Sequence, residues 1–511
     1  LLTNSESGRL KFGALRLRGL SNTAFFRKGN SLMRLSVFTI SISFLAVHLA
    51  IAALVPLFDD ETYYALWARD LALGYYDHPP MIAYMIRMGT NLFGETSLGI
   101  RLFPVIGFVA SGYLVGDMAR RMSGGAVGLP VLATTLYNLS LLVFALGSFA
   151  TPDAPSTLFW VAALWAAIRA TNTPPDTRSA MLWWVCTGLL IGFGGLSKFT
   201  NAFLAFGLLA YLIATLKGRA YLLTRLPYMT VVAAILPLLP YLFWNLQNDW
   251  LGLERQGARL VASGFSTRYL GEYAALLLLA PTPLVTWFAF RALKAPPKDS
   301  ALLVWSSVPL LLYFAYHATH APVQANWIVP LQALFAIPAA FGLAQAQSPR
   351  LWTKATLAIA LLMSVGLVAT AFNPVTPIGT TDNPPNQTRG WSATQDAITE
   401  LLAETGATWI ATTDYARTGS LALRFPQVRV WSVAQLQRYG FRGAFPTELC
   451  TAPGLLIERA RRSETTSETA PSLFETVEAT HAAIRTQDGV TLMRYHLTPV
   501  SRVKLPDLCP N

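Results

Sequence analysis

Asp59-Asp60-Glu61-Thr62-Tyr63-Tyr64 follows directly on the apolar run 35–58, and the same stretch runs on to Tyr75-Tyr76-Asp77-His78-Pro79-Pro80. Consecutive carboxylates at the mouth of an apolar run are costly when buried and cheap when wet. Such a cluster marks a site by default, with its partner still to be named. Between the two ends, Tyr64, Trp67 and Leu71 recur at helical spacing, while Arg69 and Asp70 fall elsewhere on the wheel. The spacing predicts an amphipathic helix lying in a membrane interface and ended by Gly74. The stretch reads as the first outer loop of a membrane protein.

Composition agrees. Of 511 residues, 53% are hydrophobic and 13% charged, against about 25% charged in an ordinary soluble domain. With several apolar runs of roughly 20 residues, the fold class is a polytopic α-helical membrane protein. The net charge of +12 is not a nucleic-acid footprint, because Lys and Arg sit in short clusters between apolar runs. Cysteine occurs only at 186, 450 and 509, with no metal-type CxxC spacing. Cys186 reads as packing. Cys450 and Cys509 would be able to pair if the tail faces an oxidising compartment. Residues 1–34 form a basic leader with Arg9, Lys11, Arg16, Arg18, Arg27, Lys28 and Arg34 against one acid, Glu6. It is expected to stay in the cytoplasm, and the first apolar run is too long for a cleavable signal.

The apolar runs place about eleven spans, at 35–57, 98–118, 126–147, 155–169, 181–196, 199–216, 227–245, 270–290, 301–317, 327–345 and 355–372. Every loop assigned inside is rich in Lys or Arg, while Asp59–Glu61, Asp153 and Asp249 fall outside. A second short interfacial helix is expected at 81–93. The transmembrane part is thus 35–372, with its first outer loop at 58–97. Residues 373–390 form a linker rich in Pro, Asn and Thr. Over 391–511, helices at 392–405 and 418–425 alternate with strands at 409–412, 428–431, 455–457 and 490–492. That alternation suggests a small extracytoplasmic α/β domain.

Asp60 at the outer end of a span is either a general base held partly desolvated or a helix N-cap and solvated carboxylate. Asp59 reads as a solvated neighbour. Asp153, between Pro152 and Pro155 in Thr151-Pro152-Asp153-Ala154-Pro155, is either an N-cap or a positioned ligand. Lys198, on the face that the positive-inside bias disfavours, either snorkels or holds a phosphate. His78 with His317 and His320 would be able to bind a divalent metal only if distant loops meet, so no metal ligand is assigned. His48, alone inside the first span, reads as packed. Trp67, Tyr75, Tyr76, Trp250 and Trp327 fit an aromatic belt, and Tyr63 and Tyr64 are set apart from it as sugar contacts. The basic loop 248–269, with Glu254, Arg255, Arg259 and Arg268, either closes over a site or meets anionic headgroups.

Asp60-Glu61-Thr62-Tyr63-Tyr64 with Leu71 to Tyr84, Thr151-Pro152-Asp153-Ala154-Pro155, Gly195-Leu196-Ser197-Lys198-Phe199-Thr200, Trp244-Asn245-Leu246-Gln247-Asn248-Asp249-Trp250 and Gln324-Ala325-Asn326-Trp327 occur in this order on one expected face. Together they resemble the polyprenyl-phosphate-sugar glycosyltransferases of the GT-C fold. The nearest branch is the bacterial one related to protein mannosyltransferases and to aminoarabinose and galacturonosyl lipid A transferases. The resemblance implies an inverting transfer of a sugar from a polyprenyl-phosphate donor to an envelope glycolipid at the outer face of the bacterial inner membrane. It implies Asp60 as the base and Glu61 as its catalytic support. Tyr63, Tyr64, His78, Asp153, Lys198 and Asn326 would contact substrate, with Lys198 on the donor phosphate. The aminoarabinose branch has Glu-Lys-Pro where this chain has Asp77-His78-Pro79, so a permanent cation is missing there and the sugar is left open.

The expected partners are the lipid-linked donor, the glycolipid acceptor and membrane lipids, with no nucleic acid. The chain is expected to act as a monomer, and no cofactor is expected unless a divalent metal serves. A protein acceptor is the main rival. A transporter would show an internal repeat and charges at span midpoints, which this sequence lacks. A scaffold presenting the tail domain would not need the Asp60, Asp153 and Lys198 set.

Overall fold

The computed structural model describes residues 23–124, 126, 128–258, 264–372, 384–460 and 466–509. The leader 1–22, most of the linker 373–390 and Arg259 lie outside the described residues. A helical body ends at Phe372, and an α/β domain with one mixed sheet follows.

The first helix runs over Thr23–Leu54, and its apolar part begins at Arg34. Among the described residues, six helices are long and apolar enough to cross a membrane, or up to eight if each bent pair counts as one span. The expected count of about eleven is therefore not matched by this measure. The runs expected at 155–169 and 181–196 are continuous helices, Asp153–Thr171 and Arg178–Gly195, that are not apolar enough to count, and elsewhere the helices are broken. The expected span at 126–147 is two short helices, Leu129–Asn138 and Leu141–Leu146. The span expected at 270–290 is Arg268–Leu279 and Pro283–Lys294, bent by 84° across a break that holds Pro281. A proline removes a backbone donor and forbids a continuous helix.

The short helix at Met81–Phe93 forms where expected and exposes Met88, Leu92 and Phe93. The helix Asp59–Arg69 does not lie in an interface. Tyr63, Tyr64, Leu66 and Trp67 are all buried, between the helical body and the C-terminal domain. It ends at Asp70 rather than Gly74. Gly74 serves a close approach instead, since a Cβ there would lie 2.4 Å from the Trp244 ring.

The C-terminal domain contains β1 (Trp409–Thr412), β2 (Arg429–Ser432), β3 (Gly454–Arg459), β4 (Phe474–Val477), β5 (His481–Gln487) and β6 (Val490–Val503). The sheet order is β2-β1-β3-β6-β4, with β5 also paired to β6. β1 pairs in parallel with β2 and β3, whereas β6 is antiparallel to β3, β4 and β5. The helix expected at 418–425 begins earlier, over Tyr415–Arg424, where the Asp414 side chain accepts from the Arg417 backbone N–H. Cys450 and Cys509 form a disulfide that ties the end of the chain to the sheet.

The helix Tyr415–Arg424 lies directly on Asp59–Arg69. A Cβ at Gly419 would come within 2.7 Å of the Tyr63 backbone nitrogen, so the two backbones meet where only glycine fits. This contact seats the C-terminal domain on the first loop.

Candidate active site

The three consecutive acids of the first loop face three different environments. Glu61 turns into the helical body and is fully buried. Arg101 meets it in a forked pair, Nε to Oε1 at 2.7 Å and Nη2 to Oε2 at 2.5 Å. The same carboxylate accepts from the backbone N–H of Phe58 at 3.0 Å and of Ala150 at 2.8 Å. Arg101 also donates to the carbonyls of Ala52, Val55 and Pro56, at the end of the first span. Every acceptor site on Glu61 is thus directed at this protein. Expected as a catalytic partner of Asp60, Glu61 has the geometry of a positioning residue that ties the loop to residues 150–153.

Asp59, expected to be solvated, is buried and ion-paired with Arg417 of the C-terminal domain at 2.8 Å. Arg417 in turn donates to the Tyr495 hydroxyl at 3.2 Å. Burial raises the Asp59 carboxyl above its usual range, and the Arg417 charge offsets this only in part. The partner lies 358 residues away, beyond the reach of any local signal in the sequence.

Asp60 lies between these two locks and, among the described residues, pairs with no cation. It is exposed, and its Oδ1 accepts a hydrogen bond from the Tyr415 hydroxyl at 3.0 Å. Protein crowded around it displaces water and raises its pKa above the usual carboxylate range. The Tyr415 hydrogen bond opposes the shift, while the nearby charges of Glu61 and Asp77 add to it. Arg438 supplies a nearby positive charge that opposes the shift in part, and a carboxylate that is accessible, without a direct cation partner and more basic than usual is suited to accept a proton.

Asp153, Lys198 and Asn326 come together. Asp153 is the first residue of the helix Asp153–Thr171. Lys198 Nζ donates to its Oδ1 at 2.6 Å and Asn326 Nδ2 to its Oδ2 at 2.8 Å. Asp153 is 3% exposed and Lys198 8%. Among the described residues no hydrogen bond or ion pair joins Asp60 to this group. Backbone bonds join the segments instead. Ala150, bound to Glu61, lies three residues before Asp153, and Leu196, two residues before Lys198, accepts from the Met81 backbone N–H at 3.1 Å.

Tyr63 and Tyr64, expected at the sugar, are enclosed at 1% and 7% exposure. Tyr63 donates to Asp77 Oδ2 at 3.1 Å, and Tyr64 packs edge-on to Trp67. Both line the inside of the loop rather than an open surface. His78 packs against Tyr64 with ring centroids 6.4 Å apart. His48 is buried as expected and shares a hydrogen bond with Ser148 at 2.8 Å. Among the described residues, no three His, Cys, Asp or Glu side chains gather as a metal site.

At the far end of the loop, Asp77 pairs with Arg438 of the C-terminal domain and lies 3.7 Å from Arg255 Nε. Gln256 donates to the Asp77 backbone carbonyl at 2.6 Å. Two permanent cations thus reach Asp77 from residues distant in sequence. Arg101, Arg417, Tyr415 and Arg438 were not singled out from sequence. Only Arg101 carries a signal, as an arginine at the opposite end of the apolar helix Ser97–Met122 from the basic pair Arg120-Arg121.

Residues 77–244 match the family model described as dolichyl-phosphate-mannose-protein mannosyltransferase. A lipid A galacturonosyltransferase, RgtD, of Rhizobium johnstonii is 33% identical over 194 residues, 38% of this chain and 39% of the relative. The undecaprenyl phosphate-alpha-4-amino-4-deoxy-L-arabinose arabinosyl transferase of Pseudomonas aeruginosa is 29% identical over 229 residues, 39% of each protein. The match therefore spans well under two thirds of these curated relatives. The crystal structure of ArnT from Cupriavidus metallidurans bound to undecaprenyl phosphate superposes with a TM-score of 0.60 at 16% identity, over 89% of this chain and 97% of that one. That likeness reaches through the helical body into the C-terminal domain and is a likeness of fold. By its matched segment the chain is similar to polyprenyl-phosphate-sugar glycosyltransferases, and by its architecture it shares the GT-C fold of ArnT.

Proposed function

We propose that the chain transfers a sugar from a polyprenyl-phosphate donor to a lipid A-type glycolipid, at the outer face of a bacterial inner membrane. The observation that carries this reading is the contrast at the first loop. Asp59, Glu61 and Asp77 are buried and paired with arginine, the exposed Asp70 and Glu95 of the same loop are paired with arginine too, and Asp60 is exposed with no cation paired to it among the described residues.

The step needs a base and a cation. Asp60 takes the proton of the acceptor hydroxyl as its oxygen attacks the anomeric carbon. The new carbon–oxygen bond forms on the face opposite the departing phosphate, so the anomeric centre inverts. The carbon–oxygen bond to phosphate breaks with its electron pair on the polyprenyl phosphate, and the proton stays on Asp60. Lys198, released in part from Asp153, would stabilise the phosphate charge, where a fixed cation in a water-poor site acts strongly. Asp153 and Asn326 hold that ammonium in place until donor arrives. A polyprenyl donor stays in the membrane, and the site lies where helix ends meet the C-terminal domain, within reach of a lipid headgroup. The names of the galacturonosyl and aminoarabinosyl relatives support a lipid A acceptor.

A protein acceptor is the second reading, supported by the description of the matching family model. Mass analysis of envelope glycolipids from cells with and without the chain tests the choice. The proposal expects a lipid A species heavier by one sugar residue only when the chain is present. An unchanged glycolipid profile together with a newly glycosylated protein would sink it in favour of the rival.

A further inference from the structure

The surroundings of Asp77 hold more positive charge than the transfer step uses. Arg438 comes from the short 3-10 turn Leu436–Arg442 of the C-terminal domain, and Arg255 from the helix Leu251–Ala258. Both guanidiniums reach the one carboxylate of Asp77, and both lie over the Tyr76 ring, at 5.7 and 5.2 Å. Arg438 also lies 4.5 Å over the Tyr415 ring, whose hydroxyl donates to Asp60. Arg438 is therefore one side chain away from the proposed base. Its side chain is 16% exposed and that of Arg255 33%, so each keeps a wet edge.

Asp59 also feels surplus positive charge, from Arg485 and Arg459 beside Arg417, and the other acids of the site are each met directly by a cation. Glu61 has Arg101, Asp59 has Arg417, and Asp153 has Lys198 with Asn326. A sugar bearing an ammonium group would meet surplus cations, and its only anion without a cationic partner would be the base itself. A sugar bearing a carboxylate would meet a planar guanidinium already oriented by stacking and by Asp77. Guanidinium and carboxylate match as a two-point pair, and an arrangement that repels the competing charge adds discrimination.

We propose that the transferred sugar is a uronic acid and that Arg438, contributed by the C-terminal domain, is the residue that selects it. Asp77 positions Arg438 while the site is empty, and the sugar carboxylate takes the guanidinium's open edge when donor binds. The proposal rests on the reading of the chain as a transferase that uses a lipid-linked donor. The same guanidinium would also suit the donor phosphate, so the experiment separates the two anions.

The full chain, purified in nanodiscs, is titrated with undecaprenyl phosphate and with undecaprenyl phosphate carrying galacturonic acid, galactose or 4-amino-4-deoxyarabinose. Wild type is expected to bind the galacturonic acid donor most tightly. Arg438→Gln should weaken that donor at least about thirtyfold, leaving the galactose donor and undecaprenyl phosphate within about threefold. Arg438→Lys should restore part of the preference, and thermal unfolding of each variant checks that it is folded. Equal weakening of all four ligands would overturn the proposal and assign Arg438 to the phosphate or to the loop. A wild-type chain with no preference for the acidic sugar would overturn it as well. Transfer to lipid A is measured separately. Donor binding with the acidic preference but no transfer would contradict the transferase reading and leave the specificity inference standing.

Discussion

The two sides of the first loop solve the same electrostatic problem with different parts of the molecule. On the membrane side, Glu61 is neutralised by Arg101, a residue of the helical body 40 positions away. On the sheet side, Asp59 is neutralised by Arg417, a residue of the C-terminal domain 358 positions away. Each pair is buried, and each would be costly if one partner were missing. Asp60 between them has no such partner among the described residues, only the Tyr415 hydroxyl. A helix that begins with three acids gains from its own dipole, but that effect is shared by all three and does not explain why one is left open. The two flanking pairs hold the loop from both sides, and the middle carboxylate is what they hold in place.

That contrast can be broken most severely at Asp60. Asp60→Asn should lower transfer by about 100- to 10,000-fold, the usual range for a positioned base. It should leave thermal stability unchanged or slightly higher. The sign follows from the raised pKa: the folded state holds the Asp60 proton more tightly than the unfolded chain, so at neutral pH the charge costs stability. A lowered melting temperature in Asp60→Asn would show that the residue is structural.

Glu61→Gln should do the opposite and act mainly through folding. Leaving the buried Arg101 without its carboxylate should cost about 3–5 kcal/mol, read as a lower melting temperature and lower yield. The double variant Glu61→Gln with Arg101→Met should recover much of that loss. If the double variant is folded but inactive at an intact loop, Glu61 has a chemical role beyond positioning. On the sheet side, Cys450→Ser should destabilise the C-terminal domain by about 2–4 kcal/mol, measured by calorimetry under oxidising conditions. A reducing agent should produce the same shift in wild type and none in the variant.

The smallest effect is in the pH profile. A general base works deprotonated, so transfer should fall as pH drops through the pKa of Asp60. Because that pKa is raised, the acid limb should lie above the roughly 3.9 of an ordinary aspartate. Tyr415→Phe removes the hydrogen bond that favours the charged form and should move the limb to higher pH still. An unmoved limb would separate Tyr415 from the base.

The same contrast shows what the sequence could reveal. The helical body was legible because apolar runs and basic clusters are local signals, and the helix at Met81–Phe93 and the strand Trp409–Thr412 fall where expected. The span count is less legible, because helices are broken at 126–147 and 270–290 and those at 155–169 and 181–196 are less apolar than a span requires by this measure. β4, β5 and most of β6 were missed because β6 carries Pro499 and alternates irregularly, its identity set by pairing with three other strands. At the site, the sequence grouped Asp60 with Asp153 and Lys198; the structure brings Lys198 and Asn326 onto Asp153 and, among the described residues, shows no bond from Asp60 to them. The fates of Asp59, Glu61, Tyr63 and Tyr64 were not legible. Each depends on a partner supplied by tertiary contact, and for Asp59 that partner belongs to a domain hundreds of residues later. A run of acids shows that a site is present; it does not say which acid will be left unpaired.

The most direct test of the account is transfer by the purified chain from an undecaprenyl-phosphate sugar to lipid A, compared for wild type, Asp60→Asn and Asp59→Asn at matched folded protein. The account predicts product with wild type, none above background with Asp60→Asn, and reduced but measurable product with Asp59→Asn. Wild-type levels of product from Asp60→Asn would contradict it.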